Sequence, residues 1–233
     1  MGKSTTNDMT VGSPVKLIIQ FMIPMCLGNI FQQFYNIADS IIAGQFIGVN
    51  ALAAIGSTGS LMFFVTGWLN GLTSGFAILV SQLFGAKKYD EMRHYVAMSI
   101  YLTAAFTIAM TVGFEIANAP ILRMMNTPDE VIGDVIKYMA IIYAGLIVTA
   151  AYNALSSFLR ALGDSKSPLY FLIISALLNI VLDIVFIVCF GMGVEGCAYA
   201  TVIAQGISAL LCLVYIKKKM PLLHLEKKNF TVS

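Results

Sequence analysis

Long apolar stretches, separated by short polar connections, dominate the chain from residue 15 onward. Each stretch approaches or exceeds the roughly 20 residues that an α-helix needs to cross a bilayer. This pattern predicts six transmembrane helices, near 15–47, 52–82, 95–119, 131–159, 168–190 and 197–216. A polar N-terminal segment, 1–14, precedes them, and a basic tail, 217–233, follows. Pro24 falls inside the first predicted helix and is expected to kink it.

The amino-acid composition supports a membrane location. Hydrophobic residues make up 58% and charged residues only 11% of the 233 positions, whereas a soluble domain is about 25% charged. The mean hydropathy is +0.84, and a chain this apolar cannot hide its side chains in one aqueous core. We therefore expect an all-α integral membrane protein that forms a six-helix bundle.

Basic residues are distributed asymmetrically between the connections. Except for Arg123 and Lys137, they lie around the N-terminus, in the loops after the second and fourth predicted helices, and in the tail. Basic loops face the cytoplasm, which predicts a multi-pass plasma-membrane protein with both termini cytoplasmic. The basic tail is then a topology anchor beside the headgroups of membrane lipids, and no nucleic-acid partner is expected.

The four cysteines, and the N-terminal segment, carry no functional signal of their own. Cys26, Cys189, Cys197 and Cys212 lie in apolar segments without metal-ligand spacing, so we interpret them as small residues facing the core or lipid. The N-terminal segment lacks the apolar region and cleavage site of a secretory signal peptide. The first helix is therefore expected to remain in the mature protein.

Two aspartates interrupt the apolar stretches, Asp39 in the first predicted helix and Asp183 in the fifth. A carboxylate in hydrocarbon is costly and usually has a partner or a function there. Both helices run outward in the predicted topology, which places Asp39 about 13 Å and Asp183 about 12 Å below their outer ends. The common depth predicts one polar site in the outer half of the membrane.

Polar residues at similar depths extend this predicted site. Asn179 precedes Asp183 by four residues and shares its helix face. Tyr138 lies about 10 Å down the fourth helix, and Thr201 on the sixth reaches a compatible depth. If the helices form one bundle, these residues line a single cavity with Asp39. The alternative for each polar group is a structural hydrogen bond between two helices.

The residue types leave the bound ion open between H⁺ and Na⁺. Oxygen ligands at Asp39, Asn179 and Asp183 suit a hard cation such as Na⁺. Clustered carboxylates in a poorly hydrated cavity suit proton binding equally well. No other cofactor is expected.

An intramembrane aspartyl protease also uses two aspartates on neighbouring helices, one as acid and one as base. Asp183 stands in the sequence IVLD, without the Gly-x-Gly-Asp of those enzymes. The Gly163–Asp164 pair falls in a predicted loop, where the glycine is more simply a helix stop. We therefore expect that the chain is not an enzyme.

Several stretches resemble the N-terminal half of a MATE (multidrug and toxic compound extrusion) transporter. They are IPMCLGNIFQQFYNIADSIIAGQFIGVNALAAIG at 23–56, GLTSGFAILVSQLFGAKKYDEMRH at 71–94, NALSSFLRALGDSKSP at 153–168, LLNIVLDIVFI at 177–187 and GVEGCAYATVIAQ at 193–205. Their order and spacing are specific to that family. The resemblance implies one lobe of a twelve-helix protein whose two lobes are related by an axis along the membrane normal.

The resemblance also implies a function, the export of organic cations or amphipathic drugs by alternating access, driven by inward H⁺ or Na⁺. The coupling site is implied at Asp39, Asn179 and Asp183, with Tyr138 and Thr201 as less closely matched members. Pro24 matches a proline at which the first helix is proposed to bend. The substrate cavity is implied at Gln32, Gln33, Tyr35, Asn36 and Asn153.

The six predicted helices are expected to correspond to one of the two lobes that the resemblance implies, and no further apolar stretch follows residue 216 in this sequence. A second six-helix lobe, or a second copy in a parallel homodimer, is then the expected partner, and a bacterial source is expected. Two alternatives stay open: a non-transporting assembly subunit, and a lipid-linked sugar flippase of the same superfamily. No Lys or Arg lies clearly inside a predicted span, because Lys137 is near an outer end, which favours a cationic cargo over an anionic lipid carrier.

Overall fold

The computed structural model describes residues 12–230, apart from the side chains of residues 227 and 228. Its long helices are α1 Pro14–Phe46, α2 Val49–Gly85, α3 Tyr89–Met124, α4 Ile132–Ala144, α5 Leu146–Ala161, α6 Lys166–Ile184 and α7 Val194–Lys219. A π-helical turn, Val185–Cys189, continues α6. Two short 3₁₀ turns, Pro221–Leu223 and Lys227–Phe230, follow α7. Residues 12–230 contain no β-strand.

Six membrane crossings result when α4 and α5 are taken as one broken helix. The helices α1, α2, α3 and α7, and α6 with its π turn, are each long and apolar enough to span a bilayer. The pair α4 and α5 meets the same criterion and is bent by 46° at its break, Gly145. The six-helix prediction is confirmed, but the hydrophobic pattern did not predict the break.

Three helices end in the same way. A residue with positive φ closes α2, α3 and α5: Lys87 at 61°, Asn126 at 54° and Gly163 at 84°. The next amide then donates to the carbonyl oxygen five positions earlier, as Asp164 does to Leu159 at 3.0 Å. This arrangement satisfies carbonyl groups that the helix end would otherwise leave without partners. It ends each of the three helices before the chain turns toward the next one.

The helix α7 occupies the centre of the bundle and packs against α4, α5 and α6. The helix α1 lies at the edge, where it contacts mainly α6 and α2. Its only buried residues among the described positions are Pro24, Asp39, Ile42 and Ala43. An acid is therefore buried on a helix whose other side chains are largely exposed to lipid or to a cavity.

The segment after α7 folds back onto α3 instead of leaving the bundle. Arg93 Nε donates to the Leu222 carbonyl oxygen at 3.1 Å, and His94 Nδ1 lies 3.1 Å from the carbonyl oxygen of Asn229. The ring of Phe230 packs edge-on against Tyr101, with centroids 5.4 Å apart. The described part of the basic tail is therefore a packed element.

Candidate functional site

Asp39 of α1 and Asp183 of α6 lie side by side inside the bundle. A carboxylate oxygen of each and Sγ of Cys197 on α7 all lie within 4.8 Å of one another. Asp39 is 6% exposed and Asp183 is fully buried. The two acids that sequence reasoning placed at one depth are thus adjacent in the folded chain.

Asn179 connects the acid on α6 to α7. It lies one helical turn before Asp183, on the same face, and both side chains are fully buried. Its Nδ2 lies 3.5 Å from Thr201 Oγ1. With the amide turned round, its nitrogen donates to Asp183 Oδ2 at 3.3 Å and its oxygen accepts from the Thr201 amide at 3.2 Å. The second orientation satisfies both ends of the amide.

Two tyrosines complete the surroundings of the acid pair. The Tyr35 hydroxyl donates to Thr201 Oγ1 at 3.1 Å, which ties α1 to α7. Tyr138 on α4 is 5% exposed and lies within electrostatic range of Asp39. The structure therefore brings all five predicted coupling residues into one region and adds Tyr35, which was predicted only as a cavity residue.

A π-helical turn begins two residues after Asp183, at Val185. At its end, the Phe190 amide donates to the Val185 carbonyl oxygen at 3.1 Å, five positions earlier. Such wide turns in α-helices occur frequently at functional sites. The apolar run of residues 184–190 did not reveal this turn to sequence analysis.

The acid pair is not satisfied within the described part of the chain. Oδ1 of Asp39 and Oδ1 of Asp183 are both buried without a hydrogen-bond partner there. Two carboxylates this close, with little water, cannot both stay ionised unless a cation lies between them. The chemistry of this site thus calls for a proton or a cation, and the carboxylate oxygens suit a hard cation.

A large cavity extends from this site to the opposite end of the bundle. Its volume is about 1640 Å³. Asp39, Tyr138 and Thr201 line it, whereas Asn179 and Asp183 do not. Asp39 therefore touches both the cavity and the buried partner acid. All the predicted substrate contacts also line the cavity: Gln32, Gln33, Tyr35, Asn36 and Asn153.

Pro24 is buried and lines the same cavity. The helix α1 continues through it without a break in helical structure. Because proline donates no backbone hydrogen bond, this position remains the weakest point of the α1 hydrogen-bond ladder. The expected bend at Pro24 stays a prediction.

The far end of the cavity is basic. Lys87 and Arg160 are the cationic side chains among its lining residues, and Asp39 is the acidic one. The prediction that Arg160 lies in the loop after the fourth helix is wrong. Arg160 belongs to the last turn of α5, because the helix runs past the apolar stretch by a few residues before Gly163 ends it.

Sequence analysis also missed the place of Cys197. It was interpreted as a core or lipid-facing residue, and it is fully buried, but its thiol lies beside the acid pair. Its position in the first turn of α7 became informative only when α7 was packed against α1 and α6. No spacing within the sequence could have shown this, because the three groups lie on three helices.

Known proteins resemble this chain in sequence. A family model described as MatE matches residues 24–185. The chain is 33% identical to the probable multidrug resistance protein YpnP of Bacillus subtilis, over 91% of this chain and 47% of that protein. It is 27% identical to the probable multidrug resistance protein NorM of Halalkalibacterium halodurans, over 94% of this chain and 49% of that protein. The chain thus spans about half the length of these relatives.

Solved structures share the fold. An outward-facing multidrug resistance MATE family transporter of the MOP superfamily matches with a TM-score of 0.90 at 26% identity, over 100% of this chain and 52% of that chain. The crystal structure of MATE in the bent conformation matches with a TM-score of 0.88 at 27% identity, over 95% of this chain and 50% of that chain. The family model alone covers more than half of the sequence, and this chain belongs to the MatE family of membrane transport proteins.

Proposed function

We propose that this chain forms one lobe of an efflux transporter that exports organic cations or amphipathic drugs in exchange for inward H⁺ or Na⁺. The observation that carries the proposal is the buried pair Asp39 and Asp183, each with an oxygen that has no hydrogen-bond partner among the described residues. One of the pair also lines a cavity of about 1640 Å³, which is ample for a drug-sized molecule. The names of the relatives, multidrug resistance proteins, support the same cargo class.

The position of Asp39 suggests how ion and cargo communicate. When a proton or Na⁺ binds, the repulsion between the α1 and α6 carboxylates is relieved, which favours close packing of α1 on α6. When the ion leaves, the pair repels and α1 is released from α6, with Pro24 as the place where its helix yields most easily. Cargo that contacts Asp39 or its neighbours in the cavity then binds one packing of α1 better than the other. Ion and cargo affinities are therefore linked, and the linkage is reciprocal.

A second six-helix lobe is the proposed partner of this one. The chain spans about half the length of its relatives, and MATE structures contain twice as much chain. We place the assembled transporter in a bacterial plasma membrane, with both ends of this lobe in the cytoplasm. The support for this orientation is the clustering of basic residues in the connections at one end of the bundle.

Transport by reconstituted protein tests the proposal directly. Proteoliposomes would carry either this chain alone or this chain fused to the second lobe of a relative, with ethidium as the cargo and an imposed pH or Na⁺ gradient. We expect gradient-driven ethidium movement with two lobes, and the gradient that drives it identifies the coupling ion. Failure of both gradients to move ethidium through the two-lobe protein would refute the transport proposal.

Substitutions of the acid pair test the site within that assay. Asp39→Asn and Asp183→Asn each remove a charge but keep the shape, and each is expected to lower gradient-driven transport at least tenfold. The matched control is Asp134→Asn, because Asp134 lies exposed on α4, away from the acid pair. Gradient-driven transport that survives Asp183→Asn would show that the coupling site lies elsewhere.

A further inference from the structure

The basic end of the cavity contains a cation whose charge no acid balances. Arg160 lines the cavity, and its Nη2 donates to two hydroxyl oxygens on its own helix, Ser156 at 3.0 Å and Ser157 at 3.3 Å. Within residues 12–230 it forms no ion pair. A half-buried guanidinium loses part of its hydration free energy, and without a counter-ion nothing compensates that loss.

The acid best placed in sequence to pair with Arg160 is occupied elsewhere. Asp164 lies one turn further along, and its carboxylate accepts from the Ser167 amide at 3.0 Å, the Ser167 hydroxyl at 2.7 Å and the Tyr215 hydroxyl at 2.9 Å. This carboxylate holds the start of α6 against α7. The fold therefore turns the natural partner of Arg160 away from the cavity.

Two neighbouring basic residues outside the cavity lining do have acidic partners. Lys88 Nζ lies 3.0 Å from Glu91, and Arg93 Nη1 lies 3.3 Å from Asp90. Lys87, the second basic residue of the cavity lining, has no ion pair in the described part of the chain. Both cations that face the cavity thus lack an acidic partner among the described residues.

We infer that Arg160, with Lys87 and the hydroxyl of Ser157, forms a binding subsite for the oxyanion of an amphiphile, a carboxylate or a phosphate. A guanidinium presents parallel N–H groups that match the two oxygens of such anions. Nη2 is already used, but the remaining N–H groups of Arg160 have no partner among the described residues. The Ser157 hydroxyl accepts from Arg160 and donates to no described group, so it adds a donor at the same place.

This subsite lies far from the acid pair. Tyr138 marks the acidic end and Arg160 the basic end of the α4–α5 crossing, which puts about 30 Å between them along the helix. The cavity thus has opposite charge at its two ends, and it can take zwitterionic or anionic amphiphiles as well as cations. The inference builds on the proposed function only in taking the cavity as the cargo site.

Binding of two matched probes tests the subsite without transport. The probes are 2-naphthoate and 2-naphthyltrimethylammonium, which share a ring and differ in charge, and the protein is the full chain in phosphatidylcholine nanodiscs. We expect Arg160→Gln to weaken naphthoate binding about tenfold, since one charge-assisted contact is lost. Arg160→Lys should recover part of this loss. Binding of the ammonium probe should be unchanged in both variants, which shows that the cavity is intact.

Two further arms complete the experiment. Lys88→Gln is the matched control, because Lys88 is next to Lys87 but outside the cavity lining and paired with Glu91. Nanodiscs that contain phosphatidylglycerol identify the source of the anion. If the unaltered chain, but not Arg160→Gln, binds naphthoate more weakly there than in phosphatidylcholine, a lipid headgroup occupies the subsite. If naphthoate binding is the same in both lipids, the subsite belongs to the cargo. Equal naphthoate affinity with and without the Arg160 charge, or equal loss of both probes, would overturn the inference. Either result leaves the acid-pair tests unaffected.

Discussion

Gly145, at the break between α4 and α5, lies directly against Val202 of α7. A methyl group built on Gly145 would come within 3.0 Å of Cγ1 of Val202 and closer still to Cγ2. Val202 follows Thr201, whose hydroxyl oxygen accepts the hydrogen bond from Tyr35. The bend in the fourth crossing is thus packed against the turn of α7 that carries part of the candidate coupling site.

Gly145→Ala is therefore expected to destabilise the protein by about 1–3 kcal/mol, because the added methyl group overpacks the contact with Val202. Thermal unfolding in detergent measures the effect. The control is Gly113→Ala in α3, where a methyl group meets no atom within 4 Å, and where stability should not fall. Val202→Ala combined with Gly145→Ala should restore most of the loss; a double variant less stable than Gly145→Ala would contradict this explanation.

The carboxylate of Asp164 joins the α5–α6 connection to α7 through Ser167 and Tyr215. Asp164→Asn is expected to cost about 1–3 kcal/mol, because a buried acceptor of three bonds is replaced by a group that accepts fewer. Tyr215→Phe should cost about 1 kcal/mol. In chemical unfolding, the double variant should lose less than the sum of the two, since both changes remove one shared contact. If the stability losses of the two single variants simply add in the double variant, the contact between Asp164 and Tyr215 does not contribute to stability.

The Tyr35 hydroxyl positions Thr201 beside Asn179 and the acid pair. Tyr35→Phe and Thr201→Val are each expected to raise the ion concentration for half-maximal transport about threefold to tenfold, because one ordering hydrogen bond is lost. The rate at saturating ion should change less. The readout is the ion dependence of ethidium transport by the two-lobe protein, with Tyr170→Phe, at an exposed position, as control. An unchanged ion dependence would remove Tyr35 from the site.

Lys87 closes α2 with φ of 61°, a conformation in which a side chain other than glycine is strained. Lys87→Gly is expected to raise stability by up to about 1 kcal/mol and at the same time to weaken naphthoate binding at the basic end of the cavity. Lys88→Gly, where φ is −88°, should lower stability slightly. Stronger naphthoate binding by Lys87→Gly would contradict a role of Lys87 in the anion subsite.

Sequence reasoning predicted much of this arrangement because membrane topology converts position along a helix into depth. Asp39 and Asp183 were placed at one level by counting residues from the ends of their helices, and Asn179 was placed on the face of Asp183 by helical periodicity. Both rules are local to one helix. They do not state which helices are neighbours. For this reason Tyr35 was predicted only as a cavity residue, and Cys197 only as a core or lipid-facing residue.

The sequence by itself determined the membrane class, the six crossings and the presence of two acids inside them. The reason is that unpaired polar groups are unfavourable in hydrocarbon wherever the chain crosses it. Only the tertiary structure decided that Asp39 reaches both the cavity and Asp183, and that α4 and α5 break at Gly145 where Val202 leaves no room. It also decided that Asp164 turns away from Arg160 toward Ser167 and Tyr215. Each of these outcomes depends on which side chain of another helix occupies a given space, and that information arises only when the helices pack.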